Sequence, residues 1–166
     1  MASTKEKFDS SGGFSIDKTI HIDELHDAKN FNTLEIKNTF FEDSRVKTFI
    51  LRGLNTSVLS LDDIGSQPVI ENNTLNFITG RVIAVNEQGT VYSAKIESVV
   101  SCDPTGATNV LSSMRTVIKD DIPSGQSWTI QPLGATNRFS YSTVRAGTTN
   151  NIKWAVSTEI VSIAWT

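Results

Sequence analysis

Two stretches of this chain have residue types that could do chemistry: "DDIGSQ" at 62–67 and "DDIPSGQ" at 120–126. Each sets paired carboxylates, Asp62-Asp63 and Asp120-Asp121, ahead of a turn made of Gly, Ser or Pro. Hard cations want clustered oxygen ligands, so a calcium site is the chemistry to weigh. Such a loop alternates its ligands along the chain and closes on a bidentate carboxylate, and neither stretch offers one. Asp and Ser also favour turns, where their oxygens accept from nearby amides, and turns are the expectation for both.

Other chemistries are weaker still. His21 and His26 are the two histidines; five apart, they share no helix face and point to opposite sides of a strand. A catalytic zinc takes three protein ligands, and no thiolate supplements this pair. Cys102 stands alone, so it forms neither an intrachain disulfide nor a thiolate site, and reads as a small buried hydrophobe. There is no G-x-S-x-G, no Asp or Glu pair singled out for glycoside cleavage, and no strand–Gly-loop–helix setting around "SGG" or "PSGQS". The expectation is a non-enzyme with no cofactor and no metal.

Charge and size narrow the class. Lys plus Arg is 15 and Asp plus Glu 18, a net charge of −3. Nucleic-acid binding needs a concentrated basic face, and the cluster around Arg45 and Lys47 is too sparse to supply one. No run approaches the ~20 apolar residues of a spanning helix. "MASTKEKFDSSGG" lacks a signal-peptide core, so the chain is expected to be made in a cytoplasm, with no membrane and no nucleic acid as partner. For the same reason the N-x-[ST] matches at Asn55 and Asn72 read as chance. At 166 residues the chain can hold one core large enough to need no staple.

The elements that must position any site read as strands. Residues 1–15 are expected to be an extended polar arm, with Gly12-Gly13 near its end, and 16–45 a segment with short strands through 16–22 and 33–37. Regular strand signals begin at Val46, so 46–166 is expected to be the folded domain. "RVKTFILRG", "TSVLSL", "NTLNFITGRVIAVN" and "TVYSAKIESVV" are followed by strands through 110–119, 128–133, 138–143 and 152–165. "EQG" (87–89) reads as a hairpin turn and "DPTG" (103–106) as another. Turns every 8–12 residues predict an all-β, antiparallel β-sandwich, jelly-roll or Ig-like, behind an extended N-terminal arm.

The last strand carries a puzzle. In "NNIKWAVSTEIVSIAWT" the apolar residues are even at first (Ile152, Trp154, Val156, Ile160) and then odd (Val161, Ile163, Trp165). A change of phase predicts a β-bulge near Glu159–Val161, or a crossing between sheets. The strand is expected to pair on both sides, with Trp154 in the core and Trp165 in core or interface. Trp128, Phe139, Tyr141, Phe77 and Tyr92 mostly sit in phase with apolar neighbours and read as core rather than as a sugar-stacking platform. Adjacent Phe40 and Phe41 cannot both face one core from a strand, so one is expected to seek a partner.

From about residue 46 onward the succession "FILRGLNTS", "NTLNFITGRVIAVNEQGTVYSAKIESVV", "VIKDDIPSGQSWTIQ" and "NRFSYSTVRAGTTNNIKWAVSTEIV" resembles a β-sandwich domain of tailed-bacteriophage virion proteins. The likeness rests on the order and spacing of these segments, with Ile152-Lys153-Trp154 as its closing strand. It implies a non-enzymatic building block of head-fibre, tail-fibre or decoration proteins, found in the virion. The short segment ahead of the module favours a capsid decoration or cement protein, bound to the major capsid protein or other virion subunits and self-associating, with a trimer as one option. A tail or collar adaptor, or a glycan-binding tip, is the alternative. Phe8, Phe14, Phe40 and Phe41, with Trp165, are the expected docking residues.

Overall fold

A computed structural model describes Phe14–Ile16, Thr19–Ile22 and residues 32–165. It holds ten strands: β1 (Phe14–Ile16), β2 (Thr19–Ile22), β3 (Thr33–Lys37), β4 (Ser44–Leu54), β5 (Thr74–Asn86), β6 (Val91–Cys102), β7 (Thr108–Asp120), β8 (Ser127–Ala135), β9 (Arg138–Ala146) and β10 (Ile152–Ala164). The described residues contain no helix, and every strand pairing is antiparallel. β1 and β2 form a small hairpin in a unit ending at Asn32; the second unit is Thr33–Thr166. The domain therefore starts earlier than Val46, because β3 and the first residues of β4 are hydrogen-bonded into its sheet. Most of the expected arm, 1–13, lies outside the described residues.

The main sheet has six strands in the order β3-β4-β10-β5-β6-β7. Its construction follows from period-2 alternation, which sends successive side chains to opposite faces. In β5 the even positions from Thr74 to Asn86 are buried, and in β6 those from Tyr92 to Cys102. The hairpin between them turns on "EQG" as expected. Gly89 takes φ +81°, and Asn86 accepts from the amides of Gln88 and Thr90.

β10 lies between β4 and β5, internal as its sequence suggested. The expected bulge is absent. Pairing runs unbroken from Lys153↔Leu54 to Ile163↔Ser44 on one side and from Ile152↔Asn86 to Ala164↔Thr74 on the other. The even positions from Ile152 to Ser162 all stay buried. Val161 and Ile163 are apolar residues on the opposite face, not a continuation of the first series, and Trp165 lies one residue beyond the strand.

A second, smaller antiparallel layer makes the fold sandwich-like. It is the β8-β9 hairpin, flanked along β9 by the connection from β4 to β5. There Val58 bridges to Ser142 and Val69 to Arg138, and the amides of Leu59 and Ile70 donate to the carbonyls of Tyr141 and Asn137. "TSVLSL" thus contributes isolated bridges rather than a strand. Leu51, Ile78, Val82, Ile96, Val156 and Ile160 from the main sheet pack with Leu59, Ile70, Trp128, Ile130, Phe139 and Tyr141. Burying each such side chain stabilises the fold by about 1.5–3 kcal/mol before entropy is charged. Trp154 is buried edge-on to Tyr92 at 6.2 Å, and Phe139 meets Tyr141 at 5.1 Å. Cys102 is buried too.

One glycine sets the spacing of the layers. A Cβ on Gly80 would overlap the hydroxyl of Tyr141 and approach its Cζ to 2.8 Å. Only hydrogen lets the ring lie that close to β5.

Candidate interaction surface

The residues singled out for chemistry form turns. Asp62 Oδ1 accepts from Ser66 N at 2.8 Å, and Asp120 Oδ1 from Ile122 N at 3.0 Å. In "DPTG", Asp103 Oδ1 accepts from the amides of Thr105 and Ala107 and from the Thr105 hydroxyl. These donors hold Asp62 and Asp103 below the usual carboxylate range, through Ser66 and Thr105 first. Among the described residues no group of three or more His, Cys, Asp or Glu could hold a metal ion. His21 falls in β2, and His26 lies outside the described residues.

The feature that alternation alone would not lead one to expect is the outer face of the main sheet, which the second layer does not cover. Its side chains come from the odd positions of β5, β6 and β10 and the even positions of β3 and β4. Directly paired residues build an apolar row across five strands: Ile36, Val46, Val161, Phe77 and Val99. Ile163 and Leu75, paired one step further along, add a second row. Phe77 is 47% exposed, Val161 46% and Ile163 51%. Together they line an open trough of ≈ 670 Å³.

Charged residues border the trough on one side of the outer face. On the same face the next row is Thr48, Glu159, Thr79 and Glu97, followed by Ile50, Ser157, Arg81 and Lys95. Lys95 Nζ lies 2.9 Å from Glu97 Oε1, a contact across these two rows. On the inner face near the same end, Arg45 contacts Glu71 and lies 3.6 Å from Glu35, while Lys47 lies 3.7 Å from Glu71. The basic pair noticed in the sequence is therefore matched by two carboxylates. Beneath the trough Ser162 donates to Asn76 Oδ1 at 2.6 Å, and Asn76 Nδ2 donates to Val100 O at 3.2 Å, so this buried amide is satisfied from both sides.

The expected docking residues divide. Phe40 and Phe41 sit in the β3–β4 turn, their amides both donating to Asn38 Oδ1, and both rings are exposed, Phe40 by 90%. Trp165 is half exposed, its amide donating to Asn73 O, one residue beyond Ala164, whose amide donates to Asp43 O. The β3–β4 turn and the end of β10 thus share one end of the sheet with the trough. Phe14 belongs to β1 in the other unit, and Phe8 lies outside the described residues. Trp128, Phe139, Tyr141, Trp154 and Tyr92 are core, but Phe77 is not. Sequence reasoning missed Val46, Leu75, Phe77, Val161 and Ile163 as surface residues. The available signal was that β5 and β10 carry apolar residues in both phases.

Fold and surface together define an all-β, antiparallel, sandwich-like module with an uncovered apolar sheet face. No family model matches the chain, and no curated protein matches it. Among solved structures it is similar to the tailspike protein gp49 of Acinetobacter baumannii bacteriophage Fri1, a capsular polysaccharide depolymerase, at 12% identity and a TM-score of 0.34. That match covers 82% of this chain and 20% of the tailspike, so the chain spans about a fifth of that protein's length. A likeness of this size carries no argument about activity. No helix among the described residues is long and apolar enough to cross a membrane.

Proposed function

We propose that this chain is a non-enzymatic structural protein of a tailed-phage virion, and specifically a capsid decoration or cement subunit that docks through the outer face of its main sheet. The observation that carries the docking is the apolar trough. Contiguous exposed apolar surface bordered by polar residues marks sites of protein association, and here it spans five strands of a rigid sheet. The virion assignment rests on the resemblance of the 46–166 segment succession. A rigid plate bridging neighbouring shell subunits would stabilise the shell by binding its assembled form only.

The test uses particles that lack this protein. Purified chain is expected to co-sediment with them, and Phe77→Glu and Val161→Glu are each expected to abolish retention while leaving the circular-dichroism spectrum unchanged. Retention unaltered by both changes would exclude the trough as the docking face. Chain that sediments with tails and not with filled heads would assign it instead to a collar or tail adaptor. The glycan-binding alternative is supported by the exposed rings of Phe40, Phe41 and Trp165 at one end of the sheet. Binding of the purified chain to a glycan array, lost on Trp165→Ala, would favour that reading.

A further inference from the structure

β7 is one edge of the main sheet: it pairs with β6, and among the described residues no strand pairs with its other side. Such an edge offers a row of unpaired amides and carbonyls to another chain. Proteins usually protect these edges by shortness, charge, Pro or bulges. β3, the opposite edge, is short and carries Glu35 and Lys37. β7 runs for 13 residues without Pro, and Arg115 is its only charge between Asn109 and Lys119. It is bulged at two places against β6, where pairing skips Leu111 and Ile118. Instead of guarding the edge, these extra residues are exposed apolar side chains, Leu111 by 60% and Ile118 by 70%.

The order of residues along β7 says what this edge fits. Read outward from Met114, "VLSSMRTVI" has the same character in both directions: Ser113 and Arg115, Ser112 and Thr116, Leu111 and Val117, Val110 and Ile118. Antiparallel strands bring together residues whose numbers have a constant sum, so a second copy centred on Met114 would set apolar against apolar and polar against polar. Beyond the apolar pairs, Asn109 would meet Lys119. No like charges fall opposite one another, a condition that directly facing pairs require.

We propose that two copies of this chain associate through antiparallel pairing of β7 with β7 about Met114, joining their main sheets into one. The contact is isologous and closed, each residue facing its counterpart across a two-fold axis. Because one strand edge accepts one partner, it makes pairs; a three-fold association would need another surface. The axis stands perpendicular to the sheet, so the outer faces of both copies look the same way. On the docking function proposed above, a pair would present two troughs to one surface and gain from bivalency.

Mass in solution and paired charges test this. The chain of 18.2 kDa is expected to sediment with twice that mass, falling to one chain on dilution. L111K/V117K sets Lys against Lys at both apolar positions and is expected to halve the mass. L111K/V117E sets Lys against Glu at the same two positions and is expected to restore the pair. Both sites are solvent-exposed, and an unchanged circular-dichroism spectrum in each variant confirms that the fold is kept. A single-chain mass across the dilution series would overturn the proposal, as would a mass that ignores both variants. So would equal loss of mass in both, since that would show the Met114-centred register is wrong. None of these results bears on whether the trough docks to a virion.

Discussion

Raising the pH above 10 should destabilise this protein, chiefly through Tyr141. Its ring is fully buried beneath β5, and burial pushes the phenol up from 10.0 to about 12, against a smaller opposing pull from Thr158. Among the described residues no hydrogen bond of good geometry reaches the hydroxyl, and desolvation is the dominant cause. A raised pKa means that the folded chain holds its proton longer than the unfolded chain. The unfolded state loses its phenolic proton near pH 10 while the folded state keeps it to near 12, so stability falls as pH rises through that window. At about 1.36 kcal/mol for each pH unit, the gap corresponds to about 2.7 kcal/mol. This contribution is fully present below pH 10 and lost by the time pH passes 12.

The assay is urea unfolding of the native chain and Tyr141→Phe at pH 8, 10, 11 and 12, read as the difference between them so that lysines cancel. At pH 8 the two should agree within about 1 kcal/mol, because the lost hydroxyl has no partner to abandon. Above pH 10 the variant should become the more stable, by up to about 2.7 kcal/mol at the high end. Tyr92 is shifted the same way by burial, so Tyr92→Phe in both backgrounds separates its share. If native chain and Tyr141→Phe lose stability in parallel from pH 10 to 12, the Tyr141 phenol is not the sensitive group and the packing argument around it fails.

Three further outcomes follow from the packing. Gly80→Ala forces a methyl into the Tyr141 ring and should cost about 1–3 kcal/mol by chemical denaturation, partly recovered by Tyr141→Phe, which removes the hydroxyl it strikes. Trp154→Ala empties a buried site beside Tyr92 and should cost about 3–5 kcal/mol, with a matching fall in melting temperature. Asn76→Ala strands the buried Ser162 hydroxyl and should cost about 1–3 kcal/mol, whereas Asn76→Ala/Ser162→Ala should be less destabilised than the sum of the single changes in a double-mutant cycle.

Much of the scaffold was legible from residue types. β5 and β6 alternate cleanly because one face is dry, and the turn between them declares itself through Asn86 and Gly89. The carboxylate pairs read correctly as turns, since an Asp side chain reaches amides two to four residues away whatever the fold. Burial of Trp154 and Cys102 followed from their phase and type. β10 shows where this reading stops. Its even and odd apolar series overlap at Ile160–Val161, and a period-2 pattern cannot tell a bulge from a strand whose second face has also become apolar. The register against β4 and β5 decides that, and it is continuous.

The sequence by itself determined the strand class, the turn chemistry and which residues of each strand share a face, because these depend on near neighbours and on the pleat. Only the tertiary structure decided which faces are covered. The second layer lies over one side of the main sheet and leaves Val46, Phe77 and Val161, far apart in the chain, side by side and wet. The same holds for β7: its near-symmetric order is written in the sequence, but only its place at the sheet edge leaves that order open to a partner. The physical reason is that burial is a long-range quantity, set by what lands opposite a residue and not by what flanks it.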